Sequence, residues 1–466
     1  MKWDLTYHFK TEEDFKKEFE EVQALIQKLP AYQGKLNEPQ SFKEYYNIVE
    51  EIETKGSKVY QYASLRSDLN KKDVDNAAAL NNCQMMFYML AELTSFEEPE
   101  LLALGKEKVM SLIDQDPSLE QFRFAMEKLF RLEEHVLDAK SEKLLSIYGP
   151  LTSTGSELYS ALAVGDGKAK EITLENGEKV QVTQGNYRSL IESSTCASDR
   201  KAIFEAVFEY YADHKTTFAG IYDAVLQSDV SYMKAKNYSS SVEAHLYRNN
   251  IPVEVYKNLV DVAGNNTEAV KKYIKLRQKY LGLEEYHTYD RFLTLGSSSK
   301  KYTFEEAKEL FFKSIESFPE TFKEKAHEVL ADGFVDVFEQ PGKRTGAYSS
   351  SVTNLHPFIL LNYDSTLDSV FTVAHEAGHS IHSMFSAEAQ PPMLQDYTIF
   401  VAEIASTFNE HNLLDYFLAS NASKEEKIVV IEKAIDNIMG TFYRQTLFAE
   451  YELLAHNAKE EGRPIN

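Results

Sequence analysis

The chain has 466 residues, 43% of them hydrophobic and 26% charged, so it carries enough apolar surface for a large core and does not resemble a disordered acidic tail. Its 50 Lys and Arg against 73 Asp and Glu give a formal charge of −23, a field that repels phosphate backbones and excludes nucleic acid as an expected partner. Two cysteines are too few for a disulfide framework, the opening MKWDLTYHFK lacks the apolar stretch of a secretory leader, and no apolar run approaches the roughly 20 residues of a membrane span. A cytoplasmic protein without membrane contacts is expected.

Only 19 Gly and 12 Pro punctuate the chain, which disfavours sandwiches and barrels built on many turns and points to a mainly α fold. The first helix starts at a capping box, Thr11 with Asp14, continues through Phe15, Phe19, Val22, Leu25, Ile26 and Leu29 at helical spacing, and stops at Pro30. Amphipathic stretches follow at 41–54, 73–96, 118–146, 198–235 and 253–281. Thr303 with Glu306 and Ser423 with Glu426 repeat the capping box. Strand signals are few. EITLENGEKVQV predicts a hairpin with a two-residue type I′ turn at Asn176-Gly177, and Phe358 to Tyr363 reads as a short strand. Residues 356–363 would offer an extended edge on which a peptide could add as a further strand. Glycines at 165, 167 and 185 suggest a boundary, with a second lobe beginning near 195.

One segment carries chemistry. In FTVAHEAGHSIHSMF, His375 and His379 lie one helical turn apart, so both imidazoles leave the same face about 6 Å apart along the axis. Glu376 is rotated about 100° from His375, where a carboxylate can reach a water at the ion without ligating the ion itself. Gly378 inside this helix costs about 1 kcal/mol relative to alanine and is understood if something approaches closely there. A catalytic zinc takes three protein ligands, and His382, roughly 10.5 Å along the axis from His375, is too far to be the third. It is expected to support the site from behind. Glu403 lies 24 residues beyond His379 in a second apolar helix, flanked by Val401, Ala402, Ile404 and Ala405, and a carboxylate in that setting needs a positive partner. Glu410, seven residues further on the same helix, is the candidate for orienting an imidazole. Tyr348, Tyr363 and His356 are the candidates for contacting substrate. Nucleotide binding is not supported, because GKRT at 342–345 lacks the upstream glycine of a phosphate loop.

The strings KRTGAYSSS, HPFILLNY, FTVAHEAGHSIHSMFS and QDYTIFVAEIASTFNE, in this order, resemble the oligoendopeptidase F branch of the thimet oligopeptidase family, and the likeness extends from the opening WDL through the whole chain. The resemblance implies a two-lobed, zincin-like metallopeptidase with a small β-sheet and hairpin beside the active-site helix. It implies His375, His379 and Glu403 as ligands of one Zn²⁺ per chain, Glu376 as general base, and short peptides as substrates cut at internal bonds. The organisation expected is an N-terminal helical region at 1–110, an oligopeptidase F-type lobe with the hairpin at 111–194, and a catalytic domain at 195–466 that stops short of the family's tyrosine- and histidine-rich closing segment. A metallocarboxypeptidase with the same zinc site, or an inactive peptide-binding fragment, are the alternatives.

Overall fold

The computed structural model describes residues 2–296 and 300–464. Its principal elements, in chain order, are α1 (Glu12–Ile26), α2 (Pro39–Leu69), α3 (Val74–Leu93), β1 (Lys170–Thr173), β2 (Lys179–Val182), α4 (Ala197–Asp213), α5 (Lys215–Ala235), α6 (Ser241–Tyr247), α7 (Glu268–Tyr280), α8 (Phe304–Ser314) and α9 (Glu320–Val329). Strands β3 (Val335–Asp336), β4 (Tyr348–Ser350) and β5 (Phe358–Leu360) follow, then α10 (Leu367–Ala389), α11 (Ile399–Ala419), α12 (Lys424–Ile438) and α13 (Gln445–Glu460). Further helices, among them Ala139–Tyr148 and Val253–Asn265, and short helical turns join them, and the fold is mainly α. Among the described residues, no helix is long and apolar enough to cross a membrane.

Local chemistry sets the helix starts. Thr11 Oγ1 accepts the Asp14 amide while the Asp14 carboxylate accepts the Thr11 amide, and the same reciprocal pair opens α8 at Thr303 and Glu306 and α12 at Ser423 and Glu426. Long amphipathic stretches are interrupted where the backbone leaves helical geometry. The 198–235 stretch breaks at His214 between α4 and α5, and the 253–281 stretch breaks at Asn266, whose side-chain amide donates to the Val262 carbonyl and closes the preceding turn. The 118–146 stretch divides into several short helices.

The chain divides into two compact units, Met1–Gly149 with Ser299–Asn421 and Pro150–Ser298 with Ala422–Asn466. Each is discontinuous in sequence, so the packing crosses the segment boundaries anticipated at 110 and 194. In the first unit, Val22, Ile26, Phe42, Tyr46, Leu112 and Phe122 form the main helical core. A second cluster joins Trp3 and Leu65 to Phe334, Phe358 and Leu360. There Trp3 Nε1 donates to the Ile359 carbonyl at 2.8 Å, tying the opening WDL to the sheet beneath α10.

That sheet has the order β3-β5-β4, with β5 parallel to β3 and antiparallel to β4. The strand expected at 358 therefore forms, but in the middle: all three residues of β5 are buried and both edges are paired, so 356–363 offers no edge to a peptide. The outer strand beside the motif helix is β4. Lys343, from the GKRT string, is buried with its ammonium 2.5 Å from Asp336 and also bonded to the Phe338 carbonyl, so it serves β3 and no phosphate.

In the second unit, β1 and β2 pair as predicted but with a different turn. Gly177 N–H donates to the Leu174 carbonyl and only Gly177 takes positive φ, +83°, giving a three-residue loop in place of the two-residue type I′ turn. Asn176 keeps negative φ because its side-chain oxygen accepts the Glu178 amide at 2.9 Å. The buried Arg277 guanidinium of α7 ties this unit together through Glu432 at 2.6 Å and the Leu293 carbonyl.

Candidate active site

Two crossing helices build the site, both in the first unit. α10 is capped by Thr366, whose hydroxyl accepts the Ser369 amide, and Val370, Phe371, Val373, Ala374, Ala377 and Ile381 bury its inner face. Gly378 sits where α11 crosses. A Cβ there would lie 2.8 Å from the Ala405 carbonyl oxygen and 3.0 Å from Ser406 Cα, so the missing side chain is what lets the two backbones approach. The expectation of a close approach at this glycine is met, and the approaching group is the helix that carries Glu403.

That crossing brings three donors together. His375 Nε2 and His379 Nε2 are 3.2 Å apart, and Glu403 Oε2 is 3.5 Å from the first and 3.6 Å from the second. Metal–ligand bonds of about 2.0–2.2 Å in tetrahedral array put donor atoms about 3.3–3.5 Å apart, so two imidazoles and one carboxylate fit a zinc-sized ion in both spacing and chemistry. Glu403 is about half exposed, and Ser406 Oγ donates to the same Oε2 at 2.9 Å, fixing its rotamer.

The surrounding groups orient the imidazoles. His375 Nδ1 lies 2.6 Å from Glu410 Oε1, which makes Nδ1 the protonated nitrogen and turns the Nε2 lone pair inward. Burial opposes protonation of His375, but the bond to Glu410 and the charges of Glu376, Glu410 and Glu403 outweigh it and raise its pKa. Burial and the adjacent His375 push His379 the other way, against a backbone hydrogen bond at Ala402. Glu376 is only 5% exposed, and burial, opposed by His375 and reinforced by Glu403, raises its carboxyl pKa to about 7. The Ser349 backbone of β4 favours the ionised form of that carboxylate, and Ser349 Oγ meets Ser380 Oγ of α10 at 2.8 Å. Ser349, Ser380 and Ser406 are contributions the sequence reading missed. Ser406 was findable at i+3 from Glu403, whereas the serine run at 349–351 signals nothing without the strand's orientation.

The remaining candidates lie elsewhere. His382 does not join the donor group; its ring stacks on Tyr397 at 3.9 Å, and the Tyr397 hydroxyl lies 2.7 Å from Ser383 Oγ. Tyr348 is on the face of β4 opposite Ser349 and donates to Asp68 at 2.7 Å. Tyr363 is buried and donates to the Tyr302 carbonyl at 2.9 Å, and His356 stacks on Phe334 at 3.6 Å with Nδ1 held at the Pro357 carbonyl. All three are committed to internal packing. Tyr363→Phe should therefore lower stability by about 1 kcal/mol, read by urea unfolding, with KM unchanged; a raised KM at unchanged stability would return Tyr363 to the substrate path.

Residues 190–466 match the model of peptidase family M3, and residues 100–168 match that of the oligopeptidase F domain. The chain belongs to peptidase family M3. Oligopeptidase PepF of Bacillus subtilis is 33% identical over 99% of this chain and 69% of its own length. Group B oligopeptidase PepB of Streptococcus agalactiae is 32% identical over 99% of this chain and 77% of its own. The crystal structure of oligoendopeptidase-F from Enterococcus faecium superposes with a TM-score of 0.74 at 27% identity, covering 98% of this chain and 77% of that one. The M3 likeness covers α10, α11 and the whole donor group.

Within this M3 site, Glu410→Gln should weaken zinc binding by about 10- to 100-fold, because a neutral amide is a poorer acceptor for His375 Nδ1–H. Competition with a chromogenic chelator measures it, and unchanged affinity would reduce Glu410 to a packing residue.

Proposed function

We propose that this M3 peptidase is a zinc-dependent endopeptidase that hydrolyses internal bonds of short peptides, with Glu376 as general base. The observation that carries the reading is the near-equilateral triangle of His375 Nε2, His379 Nε2 and Glu403 Oε2, with sides of 3.2, 3.5 and 3.6 Å. These three residues would hold one zinc ion, and Glu410 and Ser406 would orient them. When bound, zinc supplies a Lewis acid that polarises the scissile carbonyl and makes water acidic enough to attack near neutral pH.

The remaining work falls to the chain's own groups. The Glu376 carboxylate takes the proton of the attacking water and delivers it to the leaving amine, a role worth roughly 10²- to 10⁴-fold. Its burial keeps solvent from competing for the proton. The outer position of β4 would let an extended peptide pair with its backbone beside Glu376.

Mass-spectrometric product analysis of a mixed peptide library tests the proposal. Internal cuts that vanish with a chelator and return with zinc support it. Stepwise loss of C-terminal residues would make the chain a metallocarboxypeptidase, and bound peptide without turnover would make it a binding protein.

A further inference from the structure

Among the described residues, one other group of side chains can converge on an ion: Asp229, His245 and His456, in the second unit. The three come from α5, α6 and α13, and their donor atoms all lie within 4.8 Å of one another. His456 Nε2 is 2.9 Å from Asp229 Oδ2, and His245 Nε2 is 3.8 Å from the same oxygen. Tetrahedral coordination asks for donor separations of about 3.3–3.5 Å, between these values.

The tautomer of His456 adds an independent constraint. Its Nδ1 lies 2.8 Å from the Glu452 carbonyl of its own helix, and a carbonyl only accepts, so the hydrogen of the neutral ring is on Nδ1. Nε2 faces a carboxylate oxygen at 2.9 Å, a contact closed by a proton on Nε2 in the metal-free protein and open to a metal ion that displaces that proton. Metal-bound histidines are typically fixed by just such a bond from the other ring nitrogen to a backbone carbonyl. His245 is 64% exposed, which leaves the group open to solvent and lets its ring turn toward the other two. The flanking Asp223 is already neutralised by Lys459 at 2.8 Å, so Asp229 supplies the charge on offer.

We propose that Asp229, His245 and His456 form a second metal site, distinct from the His375 group, that takes a divalent imidazole-preferring ion of the zinc type and clamps α5, α6 and α13 together. Two neutral imidazoles and one carboxylate select zinc, nickel or copper over calcium or magnesium, which prefer all-oxygen sets.

The test is zinc content of the full chain by plasma mass spectrometry, after loading and gel filtration. The wild type should carry two equivalents and His245→Ala one, with peptide cleavage unchanged; His245 is exposed, so its removal leaves the fold intact. The double variant His375→Ala/His379→Ala should keep one equivalent and show a zinc-dependent rise in thermal midpoint, which adding His245→Ala abolishes. A His245→Ala variant that holds as much zinc as the wild type, or a double variant that holds none and shows no zinc-dependent shift, would overturn the site and leave His456 and Asp229 as an ion pair alone.

Discussion

Replacing Glu376 by glutamine is expected to lower peptide cleavage by at least about 10²-fold while zinc content stays the same, because the proton carrier is lost and the three donors are retained. A second effect of opposite sign follows from burial. The folded carboxyl titrates near 7, raised from 4.5, and so resists ionisation. For the metal-free protein the sign is as follows: a raised acid pKa stabilises the fold relative to the ionised state at low pH, and that contribution is lost as pH rises from 4.5 through 7. Above pH 7 the ionised wild type therefore carries a penalty of up to about 3 kcal/mol that glutamine does not. Denaturant unfolding of the two metal-free proteins should coincide near pH 4.5 and diverge in favour of Glu376→Gln toward pH 8. Equal stability at pH 8 would mean that the carboxylate is solvated, and cleavage by the glutamine variant at more than a few per cent of wild type would remove Glu376 from the role. Loss of activity with gain of stability is the signature of a residue kept for chemistry.

Gly378→Ala is expected to damage the site without touching a donor. The new methyl would meet the Ala405 carbonyl oxygen at 2.8 Å and the Asn409 amide nitrogen at 2.9 Å, and the first is backbone that cannot swing aside. Alanine gains about 1 kcal/mol of helix propensity, but overpacking costs about 1–3 kcal/mol. The larger consequence is geometric: α11 must shift two residues from Glu403, and donors need placement within about 0.5 Å. Zinc affinity should fall roughly tenfold or more and cleavage with it, both measurable by chelator competition and steady-state kinetics. Wild-type affinity in this variant would show that α11 can yield without moving Glu403.

The parts of the site legible in the sequence are those that helix geometry alone determines. His375 and His379 share a face because 3.6 residues make a turn, and Glu376 leaves it for the same reason. Gly378 announced a close approach through its helix-propensity cost, though the sequence could not say to which element. Glu410 was findable because seven residues return to the same face as Glu403. Tyr348, Tyr363 and His356 were misread because residue type does not say which way a three-residue strand faces; Tyr348 and Ser349 differ only by the alternation of the pleat, and Ser349 is the one that turns to α10. The centre of the sheet was hidden for a related reason: β3 is two residues long and its parallel pairing with β5 leaves no period to detect. The Asn176-Gly177 dipeptide marked the hairpin correctly but left the loop length to side-chain bonding. Nor could local patterns show that residues 1–149 pack with 299–421, since those contacts span most of the chain.

Zinc-edge anomalous diffraction from crystals of the zinc-loaded chain tests the central claim most directly. A strong peak within about 2.2 Å of His375 Nε2, His379 Nε2 and a Glu403 carboxylate oxygen, with Glu376 beside the ion but unligated, is the predicted result. A map with no peak between those three atoms, or one in which Glu403 turns away from the imidazole pair, would contradict it.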